Sequence, residues 1–193
     1  MRICLGFDGS DVDDFSALRA ETMDGWQFTP TYGPDHLPTI WNPAEWGGRT
    51  PRGEVHAAVE QMFSEHTVVR MYCDPPLWST EIEQWALRYG EKTVLHWETY
   101  RPKQMFEALS RFVTDLQTGA MTHDGCPITA NHVSNARKVP KPGMRYLLGK
   151  PHGAYHQKID AAMASVLAHE AAADCRAAGL DQEPNNEPVY VWG

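Results

Sequence analysis

The chain has 193 residues, 42% of them hydrophobic and 22% charged, which suits one globular domain with a proper core and excludes a disordered tail. A net charge of −8 argues against a nonspecific nucleic-acid binder, and the lack of any run of about 18 apolar residues or of a cleavable leader makes the chain read as cytosolic. Four scattered cysteines (Cys4, Cys73, Cys126, Cys175) with no C-x-x-C pair read as reduced thiols rather than a disulfide framework.

In chain order, Ile3 to Phe7 is predicted as a short buried strand that ends on Asp8, where an unpaired carboxylate is costly. Asp24-Gly25, with aromatic or apolar residues on either side, signals a hairpin and so an antiparallel meander. Residues 33 to 53 are rich in Gly, Pro and Trp and read as a long surface excursion, with Trp41 and Trp46 expected to be exposed. Val55, Ala58, Val59, Met62 and Phe63 fall at helical spacing. A second apolar strand, "TVVRMYCDPPLW", ends in Asp74 and is stopped by Pro75-Pro76; Thr80 and Glu83 then offer a capping box for a helix that buries Trp85 and stops at Gly90. "KTVLHWET" reads as another strand, and Met105 to Leu116 as a long amphipathic helix.

Residues 121 to 153 are turn-rich and basic, expected to form a hairpin or mobile loop around "MRYLLGK", with His123 and His132 at the surface. An Ala-rich helix follows, with Asp160 in its first turn and small residues suited to close packing on a sheet. The pattern predicts a mixed α/β domain over residues 1–179 with helices on both faces, and a flexible tail over 180–193.

The charge is unevenly distributed. Between Arg137 and Ile159 stand Arg137, Lys138, Lys141, Arg145, Lys150 and Lys158, about a third of the cations, with no acid among them. This stretch is the candidate DNA-binding segment. His152 and His156 in the same stretch lack a third and fourth ligand of matching type, which argues against zinc.

Asp8, Asp74 and Asp160 are acids where the local pattern wants apolar residues. Singly, each has a structural explanation: a turn with Gly9, a turn before Pro75, or a favourable place at a helix N-terminus. Together, at the ends of neighbouring strands and of a helix packed on them, they would repel one another unless hard divalent cations bound there. Oxygen-only ligands suit Mg²⁺ or Mn²⁺ and two-metal phosphodiester chemistry, in which one ion activates a water and the other stabilises the leaving 3′ oxygen.

"GFDGSDVDDFSAL", "VVRMYCDPPLW" and "KIDAAMASVLAHEAA" resemble the three acidic motifs in the nuclease domain of tailed-phage terminase large subunits, in the form seen in actinobacterial phages. The resemblance covers roughly residues 1 to 175. It implies an RNase H-like fold, with a central mixed sheet whose first three strands are antiparallel, and endonuclease cleavage of concatemeric phage DNA. It carries the metal ligands over as Asp8, Asp74 and Asp160, with Asp14 as a fourth, weaker candidate. Two divalent cations, Mg²⁺ or Mn²⁺, are the implied cofactors. Double-stranded phage DNA, a terminase ATPase domain, the small terminase subunit and the portal protein are the implied partners, in the cytoplasm of the infected host and away from any membrane. No G-x-x-x-x-G-K-[ST] loop occurs, so no ATP site is expected in this chain, and the motor is expected either to have been removed or to be encoded elsewhere. Three alternatives stay open: another RNase H-like nuclease of the resolvase or transposase type, a non-catalytic module docking DNA or portal, and a sugar-kinase or actin-like ATPase lobe suggested by "GFDGS".

Overall fold

A seven-stranded mixed sheet organises the chain in the computed structural model, which describes residues 1–154 and 156–181. Strand β1 (Arg2–Asp8) runs antiparallel to β2 (Ser16–Thr22), which pairs antiparallel with β3 (Trp26–Phe28) across the expected turn at Gly25. Two short strands, β4 (Thr31–Tyr32) and β5 (Leu37–Pro38), form a separate ribbon, and β6 (Ile40–Trp41) returns to β2. Helix α1 (Arg52–Glu65) leads into β7 (Thr67–Cys73), parallel to β1; α2 (Ser79–Tyr89) leads into β8 (Val94–His96), parallel to β7. Helix α3 (Pro102–Thr118), β9 (Thr122–His123) and α4 (Pro127–Asn135) precede a hairpin of β10 (Arg137–Lys141) and β11 (Arg145–Gly149), and α5 (Asp160–Ala177) closes the described fold. The sheet order is β8-β7-β1-β2-β3-β9, with β6 on β2. Among the described residues no helix is long and apolar enough to cross a membrane.

The period-2 alternation of β1 decides which residues meet which layer. Ile3, Leu5 and Phe7 pack with Val55, Val59 and Met62 of α1 and with Ile82 and Trp85 of α2, while Cys4 faces a second core with Met105 and Leu109 of α3 and Leu167 and Ala171 of α5. Helices therefore cover both faces, as the sequence predicts. Helix α5 is buried continuously from Asp160 to Ala172, which makes it a central helix rather than a surface one. It lies so close to β1 that a Cβ on Gly6 would fall 2.2 Å from the Ala164 carbonyl oxygen and 2.3 Å from the Ala168 nitrogen. Polar bonds lock it against β2 and β3: Arg19 Nε donates to Ser165 Oγ at 3.2 Å, Gln27 Nε2 to the Ser165 carbonyl at 2.7 Å, and His169 Nδ1 lies 2.9 Å from Glu21 Oε2.

Four expectations need correction. Trp41 is 1% exposed, because β6 returns to the sheet and the Trp41 indole N–H donates to the Tyr32 hydroxyl at 2.9 Å. The Thr80–Glu83 capping box does not form: α2 begins at Ser79 without a side-chain cap, and the Ser79 hydroxyl bonds back to the Pro75 carbonyl. The turn-rich stretch contains helix α4 as well as the hairpin. His132, expected at the surface, lies on α4 and is 2% exposed. The tail expected over 180–193 falls outside the described residues beyond Asp181.

Candidate metal and DNA site

Parallel pairing of β1 with β7 matches Phe7 to Cys73, so the next residues, Asp8 and Asp74, stand side by side at the strand ends; the Asp74 N–H donates to the Phe7 carbonyl at 3.0 Å. Alternation places both on the face that carries Cys4, Gly6 and Tyr72, the face covered by α5. Asp160 is the first residue of α5, and its Oδ2 accepts the Phe15 N–H at 3.3 Å just ahead of β2. Three segments far apart in sequence thus bring three carboxylates to one edge.

Electrostatics reports the same convergence. Burial, and then the charges of Asp160, Asp74 and Asp14, push the Asp8 pKa well above its ordinary value, against an opposing pull from Lys150. Burial and the charge of Asp14 raise Asp160 to about 6. Burial also raises Asp74, partly offset by the Thr99 N–H at 3.2 Å and the Thr99 hydroxyl at 3.0 Å. Among the described residues the Asp8 carboxylate accepts no hydrogen bond from a protein donor, which leaves a half-buried acid with oxygens to offer. Carboxylate oxygens are the hard donor type that divalent cations take. Among the described residues no three His, Cys, Asp or Glu side chains are grouped so that they could hold a metal ion as they stand.

Asp14 stands apart from the other three. Burial works against its ionisation, but ion pairs with Lys150 and, at 2.8 Å, Lys158 outweigh it and hold its carboxyl below the usual range. Two of the six candidate DNA-binding cations are therefore tied to an acid of this edge. Arg137, Lys138, Lys141 and Arg145 lie on the hairpin with no carboxylate partner among the described residues. The hairpin is fixed at its base by Lys150 and along its length by Tyr146, whose ring meets Phe106 of α3 at 5.1 Å and lies beneath the Lys138 ammonium at 4.5 Å. His152 and His156 are exposed.

Two supporting residues escaped the sequence reading. Thr99 orients Asp74, and His132 Nδ1 accepts the Ala161 N–H at 3.0 Å, capping α5 beside Asp160. Neither carried a signal beyond its residue type. Burial, followed by Lys150 and Lys158, holds the His132 pKa down at about 4, so the ring is neutral and able to accept. His132→Ala is expected to cost about 1–2 kcal/mol in urea unfolding at pH 7.5, because a helix N–H loses its acceptor, while His132→Asn retains most of the stability. A group with a depressed folded-state pKa contributes fully above its unfolded value of 6.5 and loses that contribution as pH falls toward 4, a loss of about 3 kcal/mol, so the gap between wild type and His132→Ala should close and then reverse across that window.

No family model matches the chain. It superposes on the large terminase nuclease of thermophilic phage G20c with bound magnesium at a TM-score of 0.62 and 12% identity, covering 88% of this chain and 80% of that one. The fold is that of phage large-terminase nucleases. It also superposes on the HK97 bacteriophage large terminase at a TM-score of 0.63 and 15% identity, over 87% of this chain and 39% of that one. In sequence the chain is 32% identical over 183 residues to the Gene 13 protein of Mycobacterium phage L5, covering 90% of this chain, with the same identity to the Gene 13 protein of phage D29. It spans about 30% of the length of these relatives. The RNase H-like architecture expected from the acidic motifs is therefore present, and the sequence relatives are mycobacteriophage proteins, in keeping with the actinobacterial-phage form of those motifs.

Proposed function

We propose that the chain is a divalent-metal-dependent DNA endonuclease domain that cuts concatemeric phage DNA during packaging. The observation that carries this reading is the meeting of Asp8, Asp74 and Asp160 at one sheet edge, each with its pKa raised, beside a hairpin bearing four cations. The fold likeness supports it, as does the fact that the G20c large terminase nuclease is described with bound magnesium and with bound cobalt.

Bound here, two Mg²⁺ or Mn²⁺ ions would supply Lewis-acid stabilisation of the phosphate and a water nucleophile at neutral pH. Asp8, Asp74 and Asp160 would hold them. Thr99 fixes the orientation of the Asp74 carboxylate through two hydrogen bonds, and the Phe15 N–H does the same for Asp160. The Asp14–Lys150–Lys158 cluster anchors the base of the hairpin at the acid edge, so Arg137, Lys138, Lys141 and Arg145 can grip the DNA backbone near the scissile phosphate. In this reading Asp14 neutralises lysines rather than serving as a fourth ligand. The chain would act in the cytoplasm of the infected host with an ATPase domain, the small terminase subunit and the portal as partners.

Supercoiled plasmid incubated with the protein should be nicked and then linearised in Mn²⁺ or Mg²⁺, and EDTA should abolish both, as read on an agarose gel. Salt-sensitive DNA binding without any cleavage in Mn²⁺ would overturn the nuclease reading in favour of a docking module.

A further inference from the structure

Three non-glycine residues among the described residues adopt a left-handed backbone: His36, Leu77 and Met144, with φ of 50°, 65° and 57°. Leu77 has a local reason, since its carbonyl accepts from the Arg52 guanidinium at 3.0 Å. Leu77 is also exposed, at 66%, but Met144 is more exposed still and sits on the basic hairpin. It is an unbranched apolar side chain in a conformation that favours glycine, and it is 96% exposed at the tip of the β10–β11 hairpin. Lys141 and Arg145 form the last rung of the ribbon and flank it, and Gly143, with φ of 76°, completes the turn. A left-handed residue can close such a three-residue loop, but the turn does not require that residue to be a fully exposed methionine.

The ribbon below the tip is braced. Lys150 ties its base to Asp14 at the acid edge, and Tyr146 packs on Phe106 near the start of α3. Four residue steps run from the Arg137–Gly149 pair to the Lys141–Arg145 pair, a reach of about 14 Å, which matches the rise of about four base pairs of duplex. A two-stranded ribbon fits a DNA groove, and methionine is among the side chains that unstack base steps.

We propose that Met144 is a positioning residue that wedges between base pairs of the bound duplex, with Lys141 and Arg145 on the flanking phosphates, and so bends the DNA toward the acid edge. This rests on the DNA-cleaving reading above. Wild-type protein in EDTA, mixed with duplexes carrying 2-aminopurine at successive positions, should raise the fluorescence several-fold at one or two adjacent steps. Met144→Gly, which suits the left-handed backbone, should bind DNA within about twofold of wild type, lose that rise and cut intact duplex about tenfold more slowly. A duplex with a mismatch at the responsive step should be cut equally well by both proteins, and Met144→Leu should behave as wild type. Wild-type binding without a fluorescence rise at any position, a Met144→Gly variant that keeps the rise, or a cleavage defect that persists on the mismatched duplex would each overturn the wedge. Wild-type protein that fails to bind duplex at all in a gel shift would instead overturn the DNA reading, and the wedge with it.

Discussion

Asp8→Asn, Asp74→Asn and Asp160→Asn should each lower plasmid cleavage in Mn²⁺ by at least about a thousandfold, since each removes a charge that several kcal/mol of transition-state stabilisation would depend on. The same substitutions should not harm the fold. Asp160 is 7% exposed, and its folded pKa of about 6 exceeds the ordinary 3.8, so the native state retains a proton that the unfolded chain gives up. Stability linked to this group is therefore highest below pH 3.8, declines as pH rises to about 6, and stays low above that. Asparagine removes the ionisation while keeping an acceptor for the Phe15 N–H. Asp160→Asn in EDTA at pH 8 should thus be more stable than wild type by an amount on the order of 2 kcal/mol, or about 5 °C in melting temperature. Adding Mn²⁺ should raise the wild-type melting temperature and leave that of Asp160→Asn nearly unmoved. Acids that served only as turn and helix caps would give the reverse, destabilised variants and no metal response, and intact cleavage in all three variants would sink the assignment.

Gly6→Ala should be severely damaging, since Gly6 is the described glycine whose added Cβ comes closest to a neighbour. The added Cβ would meet the Ala164 carbonyl oxygen, the Ala168 nitrogen and, at 2.9 Å, the Leu167 carbonyl carbon. All three are backbone atoms, so no rotamer change relieves the clash. Either β1 or α5 must move, and moving α5 displaces Asp160 from Asp8. A loss of about 3 kcal/mol or more is expected in urea unfolding, together with reduced cleavage by whatever protein remains folded. A change below about 1 kcal/mol would mean that α5 does not lie against β1 at this distance.

Much of this architecture is legible in the residues. Ile3 to Phe7 is a short apolar run that is buried throughout, Val68 to Cys73 is a mostly apolar run buried from Met71 onward, and the Ala-rich stretch after Asp160 can only be a closely packed helix. Asp8, Asp74 and Asp160 are conspicuous because each stands at the end of such a run. Helix α4 was not legible: it is nine residues long, rich in β-branched and amide side chains, and owes its existence to packing against α5. Trp41 was misplaced for a related reason, since a Gly- and Pro-rich setting gives no hint that the chain comes back to pair with β2.

By itself, then, the sequence determined the buried strands that end on Asp8 and Asp74, the main helices that cover the sheet, and which acids are out of place, because burial and periodicity are local properties of a run of side chains. Only the tertiary structure decided what those groups do to one another. Asp14 and Lys150 are 136 residues apart, and His132 and Ala161 are 29 apart. Charge pairing and capping at such separations depend on distances in space, which no local pattern encodes. That is why the pairing of Asp14 with Lys150 and Lys158 has no trace in the sequence, and why His132 reads as a surface residue until the fold buries it against α5.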